Sequence, residues 1–183
     1  MKKFLMALAV LALVGAPAFA GPNAGGTLIA HDTGLAYTSD SAEYPSPAPS
    51  CEQQTVDAQI DLDVNVVWKA YAAFPTSGAP RLKALPMGST FPATVVVLAG
   101  GLPNPALDFE ITQGGWPTTS GGGVGVSFGT TLTGFVNECY WFGGYGYGAG
   151  GQWSLAPHPS QAMVFVDDSV PPQEDAITAL SSI

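Results

Sequence analysis

The chain has 183 residues, a formal net charge of −9, 46% apolar residues and only 10% charged ones. That apolar content excludes a disordered chain, and the acidic surplus excludes nucleic acid and anionic lipid as partners, since neither releases counterions onto a negative surface. With so few charges the surface falls to Gly, Ser, Thr, Asn, Gln and Pro, which suits an extracellular β-protein better than a cytosolic enzyme.

Lys2 and Lys3 precede an apolar run from Phe4 to Val14, and Ala18-Phe19-Ala20 supplies the small-x-small pattern of a cleavage site. Residues 1–20 therefore read as a signal peptide, with Gly21 as the new terminus. The run is too short for a stable membrane span, and no cysteine follows the cut to take a lipid. The expected location is extracellular or periplasmic. A mature chain of about 163 residues is enough for one domain with a real core. Residues 21–183 are taken as that domain, with an extended N-terminal segment over 21–59 and the core over 60–183. Its positive charges are Lys69, Arg81 and Lys83 against 14 acidic residues, a net −11. Divalent cations are the partners such a surface attracts most readily.

Gly21 to Gly26 reads as a flexible start, Thr27 to His31 as a short strand, and Tyr44 to Ser50, with Pro45, Pro47 and Pro49, as a stiff extended connector. Ile60 to Phe74 has the clearest periodicity. Ile60, Leu62, Val64, Val66, Trp68, Ala70, Ala72 and Phe74 alternate with Asp61, Asp63, Asn65, Val67, Lys69, Tyr71 and Ala73. This is a half-buried strand with a bulge or bend, ended by Pro75. Lys69 is the one positive charge inside an expected strand, where it would guard an edge.

Further strands are expected over Thr94–Leu98, Asp108–Thr112, Val124–Phe128, Asn137–Phe142, Gln152–Leu155 and Ala162–Val166, punctuated by Gly, Pro and Asn clusters. No stretch of the mature chain has a helical period, although the tail after Pro172 has the acidic start, Glu174 and Asp175, that a short helix favours. The expected fold is all-β with little helix: a single antiparallel β-sandwich of jelly-roll or Ig/cohesin-like type.

Cys51 and Cys139 are the two cysteines. In an oxidising compartment an isolated pair most often forms one disulfide, the alternatives being two buried thiols or intermolecular pairing. Such a bond would close a loop of roughly ninety residues and contribute about 4–5 kcal/mol by chain entropy.

Motifs with chemical content are sparse. Gly125-Val126-Ser127-Phe128-Gly129 matches the G-x-S-x-G of a hydrolase nucleophile elbow, but Thr130 to Thr133 are poor helix formers where a helix should follow. The two histidines, His31 and His158, have no zinc or copper spacing and read as structural or surface residues. Asp57, Asp61 and Asp63 border the long strand, and Asp61 and Asp63 place like charges on one face of it. Asp167, Asp168, Glu174 and Asp175 surround Pro171-Pro172. If that turn folds back they offer calcium three or four carboxylates; the favoured alternative is a solvated acidic loop. In the run Tyr140 to Tyr147, Tyr140 and Phe142 face one side of a strand and Trp141 the other, as core or cross-strand positions rather than a sugar platform. Trp116, before Pro117 in a Gly-rich loop, is the better candidate for an exposed, polysaccharide-stacking ring. No pair of carboxylates is singled out for glycoside hydrolysis.

Several strings carry a resemblance: Asn23-Ala24-Gly25-Gly26-Thr27-Leu28-Ile29, Ala72-Ala73-Phe74-Pro75, Pro80-Arg81-Leu82-Lys83, Tyr140-Trp141-Phe142, Pro157-His158-Pro159, and Phe165-Val166-Asp167-Asp168 followed by Pro171 and Asp175. In order they cover most of the mature chain, which resembles a group of uncharacterised secreted proteins predicted from environmental bacterial genomes. The resemblance implies export and imports no activity. Members usually carry a cysteine where this chain has Ala106, which puts the Cys51–Cys139 pairing in question, and a Gly-Phe ending that implies a tail truncated at Ile183. The expected role is a non-catalytic structural, adhesive or assembly module acting on itself or other extracellular chains. A carbohydrate-binding module is the alternative and a small secreted hydrolase the third reading.

Overall fold

A computed structural model describes residues 20–39, 44–50, 53, 64–103, 107–148 and 151–183. Ten strands follow in order: β1 Thr27–Ala36, β2 Val66–Ala73, β3 Leu82–Thr90, β4 Val95–Gly101, β5 Leu107–Gln113, β6 Gly123–Leu132, β7 Val136–Gly146, β8 Ser154–Ala156, β9 Val164–Val166 and β10 Glu174–Ala176. They form two antiparallel sheets packed face to face, a β-sandwich. The first sheet has the order β1-β2-β7-β4 and the second β10-β9-β3-β6-β5, with β8 also pairing to β3.

The alternation of Trp68, Ala70 and Ala72 puts these side chains between the sheets, where they meet Phe142 from β7. Trp68 stacks on Phe142 at 5.7 Å with the rings 14° apart, and Trp153 closes on Phe142 at 4.6 Å. Phe74 and Phe165 meet edge to face at 4.9 Å toward the other end. These rings are among the largest side chains of the core shared by the two sheets.

β2 is buried on both faces rather than one. Its outward residues Val67, Lys69 and Tyr71 lie under the proline-rich segment from Tyr44. Tyr44 packs with Val67 and Trp141 in a second small core. Its hydroxyl accepts from Thr38 N at 3.0 Å and donates to Thr38 O at 2.5 Å. Tyr37 lies so close over Gly143 that a Cβ there would meet its ring at 2.2 Å. Residues 60–63, the expected beginning of the long strand, fall outside the described residues, and the described strand starts at Val66.

Two elements differ from expectation. β3 carries Pro86 and Gly88, which disguise it in the sequence. Pro86 falls in the gap between Ala84, which pairs with β9, and Gly88 to Thr90, which pair with β8. A missing ladder N–H is tolerated in such a gap. The expected helix after Pro172 is instead β10, paired through Asp175 to Phe165. Three residues beside a waiting sheet edge gain more from pairing than from an isolated helical turn.

Candidate functional site

The structure disperses the expected site residues. Trp116 is only 7% exposed and sits in the core, 5.5 Å from Tyr140 and 5.4 Å from Phe142. Gly114 and Gly115 take φ of 68° and 77°, values that Gly adopts at little cost. The resulting reversal swings Trp116 inward, so it is not an exposed sugar platform. The sequence pattern of a Gly-rich loop is the same for either direction.

Asp167, Asp168, Glu174 and Asp175 each face a different way. Asp167 Oδ1 accepts from Ser169 N, Ser169 Oγ and Gln173 N. Burial pushes its carboxyl up, but these hydrogen bonds outweigh it and the net shift is downward. Asp168 takes a bidentate fork from Arg81, at 2.7 and 2.5 Å, and a third bond from Thr131. The Arg81 hydrogen bonds come first in holding it down to about 2. Glu174 is exposed, and Asp175 is buried against Gly21 and Asn23. Among the described residues no three His, Cys, Asp or Glu side chains are placed to hold a metal ion. Three of the four carboxylates that calcium would have drawn on, Asp167, Asp168 and Asp175, are thus held by partners of the chain's own.

A first test follows. Arg81→Gln is expected to return the Asp168 titration toward the ordinary carboxylate range, read by carboxyl-carbon NMR. Because the folded value lies below the unfolded one, the contribution of Asp168 is present above the unfolded value and is lost as pH falls toward about 2. An unchanged low value in the variant would mean that Thr131, not Arg81, holds the carboxylate.

Cys139 is a free, fully buried thiol in the structure, and its expected partner falls outside the described residues. It is the extra residue of a bulge between β2 and β7, since Ala70 pairs with Tyr140 and Tyr71 with Glu138. Burial raises its thiol to about 12, which leaves it protonated and unreactive. Cys51 lies outside the described residues, as do Asp57, Asp61 and Asp63.

Gly125 to Gly129 lies inside β6, extended rather than on a strand-to-helix turn. Ser127 Oγ donates to Asp108 Oδ2 at 3.4 Å. His158 Nδ1 accepts from Ser160 N and Gln161 N at 3.2 and 3.1 Å. Burial lowers its pKa, consistent with a neutral ring that closes a loop. His31 lies 6.0 Å from Tyr71 on the outer face of the first sheet.

Two features lie beyond those expectations. Lys69, 1% exposed on a central strand, donates to Glu138 Oε2 at 2.8 Å. They border a small cavity of about 40 Å³ beneath Tyr44 and Pro45. The outward position of Lys69 in the alternation suggested a guard for an edge. The covering segment instead buries Lys69 in an ion pair with the half-buried Glu138.

The second feature is β5. It ends the second sheet, and every side chain from Asp108 to Gln113 is exposed. Phe109 and Ile111 are each 57% exposed and border a shallow groove of about 210 Å³ with Pro86, Gly125 and Gln161. Tyr140 ties the strand to the core by donating to Glu110 Oε2 at 3.0 Å.

The other sheet edges are blunted. β10 has only three residues. The tail lies along β1, with Leu28 N donating to Ala179 O and Ser181 N to Leu28 O. β4 is interrupted by a register shift between Val97 and Ala99. From Phe109 to Gln113, β5 pairs with β6 in unbroken register, and among the described residues no strand pairs with its other side.

No family model, curated protein or solved structure matches the chain. The fold and its surfaces carry the functional argument alone.

Proposed function

We propose that the chain is an exported, non-catalytic structural module that assembles with a second copy of itself through the β5 edge. The observation that carries this reading is the open β5 strand with Phe109 and Ile111 on its face. An unpaired strand edge is a template for another strand, and the other three edges are shortened, covered or kinked. A second copy fits in a specific register. Antiparallel pairing centred on Ile111 sets Ile111 against its own copy, Phe109 against Gln113, and Glu110 against Thr112. No carboxylate then faces another directly, the two apolar grooves join, and the contact is two-fold and closed. Asp108 and Glu110 still lie near the junction, within a chain whose mature net charge is −11. Their long-range repulsion makes association salt-dependent.

Light scattering of the exported protein across a salt series tests this. Self-association is expected to rise with ionic strength, and Ile111→Lys is expected to hold the protein monomeric by placing a charge on the axis. A protein that stays monomeric at all salts, yet is retained by an immobilised polysaccharide through Phe109, would replace assembly by sugar binding.

A further inference from the structure

In place of a flexible start, residues 21–26 form a closed turn. Ala24 N donates to Gly21 O and Gly26 N to Asn23 O. Asn23 is fully buried and grips the backbone of Arg81 from both sides: its Oδ1 accepts from Arg81 N at 2.9 Å, and its Nδ2 donates to Arg81 O at 3.2 Å. At the head of the turn lies Asp175, 7% exposed on β10. Its Oδ1 accepts from Gly21 N at 2.7 Å and its Oδ2 from Asn23 N at 2.9 Å.

The carboxylate of Asp175 thus rests on the nitrogen that the leader's small-x-small pattern marks for release. A Cβ on Gly21 would fall 2.4 Å from Asp175 Oδ2, so the seat admits a glycine and nothing larger without displacement. Ala20, on the other side of that bond, is exposed.

We propose that Asp175 is a binding site for the chain's own α-ammonium group, created when a signal peptidase cleaves after Ala20, so that removal of the leader completes the fold. This rests on the exported reading above. Hydrolysis breaks the Ala20–Gly21 C–N bond. The oxygen of water goes to the Ala20 carboxylate, and the Gly21 nitrogen keeps the bonding pair and is protonated to –NH₃⁺. An amide hydrogen bond to Asp175 thereby becomes a charge-assisted one, which is shorter and stronger. The ammonium locks the first turn onto β10, and through Asn23 onto the chain just before β3. While the leader is attached, the same nitrogen is a neutral amide and the lock is weak.

The experiment has two parts. The protein is exported with its own leader and its terminus is sequenced, with Gly21 expected first. Chains beginning at Gly21 and at Ala20 are then released from a cleavable fusion and melted. The Gly21 start is expected to melt higher by roughly 3–6 °C, the shift one charge-assisted hydrogen bond gives in a domain of this size. Asp175→Asn should erase the difference between the two starts, and so should Gly21→Ala, which unseats the terminus while leaving the core intact. Equal melting of the two wild-type starts overturns the proposal, as does a difference that persists in either variant. Export with cleavage at another bond overturns it while leaving the exported reading standing. Failure of export removes that reading and the proposal with it.

Discussion

Lys69→Met is expected to destabilise the protein by about 3 kcal/mol at neutral pH, a fall in melting temperature of about 6–12 °C. The substitution keeps the apolar stem but leaves the Glu138 carboxylate under Tyr44 without its cation. Burial already pushes Glu138 above its ordinary value, against the hydrogen bond and charge of Lys69. Removing Lys69 removes both opposing effects, so the folded value climbs further. A carboxyl whose folded value exceeds its unfolded one contributes most below the unfolded value, and that contribution is lost as pH rises through the folded one. The gap between wild type and Lys69→Met should therefore be small in acid and widen toward neutrality. The double variant Lys69→Met/Glu138→Leu is expected to recover most of the loss, since a buried pair replaced by apolar groups is often neutral or better. Urea melts at several pH values check this. A pH-independent loss would mean that Lys69 acts through packing rather than charge.

Trp68→Ala carries the other large effect, a loss of about 3–5 kcal/mol. Trp68 is fully buried, stacks on Phe142 and meets Trp153 at 5.7 Å. Its neighbours are rings on rigid strands, so the cavity cannot close by small side-chain shifts. The Phe142–Trp153 contact at 4.6 Å would lose the indole that supports it. Calorimetry of the variant should give a lower melting temperature, and near-UV circular dichroism should lose the tryptophan signature of the packed core. A loss below 1 kcal/mol would mean that the two sheets repack around the gap.

The β-sandwich was legible because its signals are local. Period two over β2, the short strands β4 to β9 and the Gly and Pro clusters between them follow from backbone preferences. The division of Tyr140 and Phe142 from Trp141 across β7 was legible for the same reason. β3 was hidden because Pro86 and Gly88 are breakers by composition and are tolerated only where two different partners share one strand edge. β10 was hidden because Glu174-Asp175-Ala176 acquires its extended form from β9, not from itself. Trp116 went inward because two glycines permit a reversal whose direction no local rule sets. The acidic residues around Pro171-Pro172 looked like one group because they are close in sequence. Arg81, Ser169 and Gly21 draw them apart, and two of those three partners are distant in the chain. The Lys69–Glu138 pair needed two distant strands and a covering segment, none of which periodicity reveals. The open face of β5 was only half visible: a strand was expected over Asp108–Thr112, but which strand ends a sheet is a property of topology.

Assembly through β5 has a direct readout in amide hydrogen exchange measured at low and high salt. On association, the outward-facing amides between Phe109 and Gln113 are expected to become protected, while exchange along β1, β4 and β10 stays unchanged. Protection appearing on another strand, or association with β5 still exchanging freely, would contradict the account.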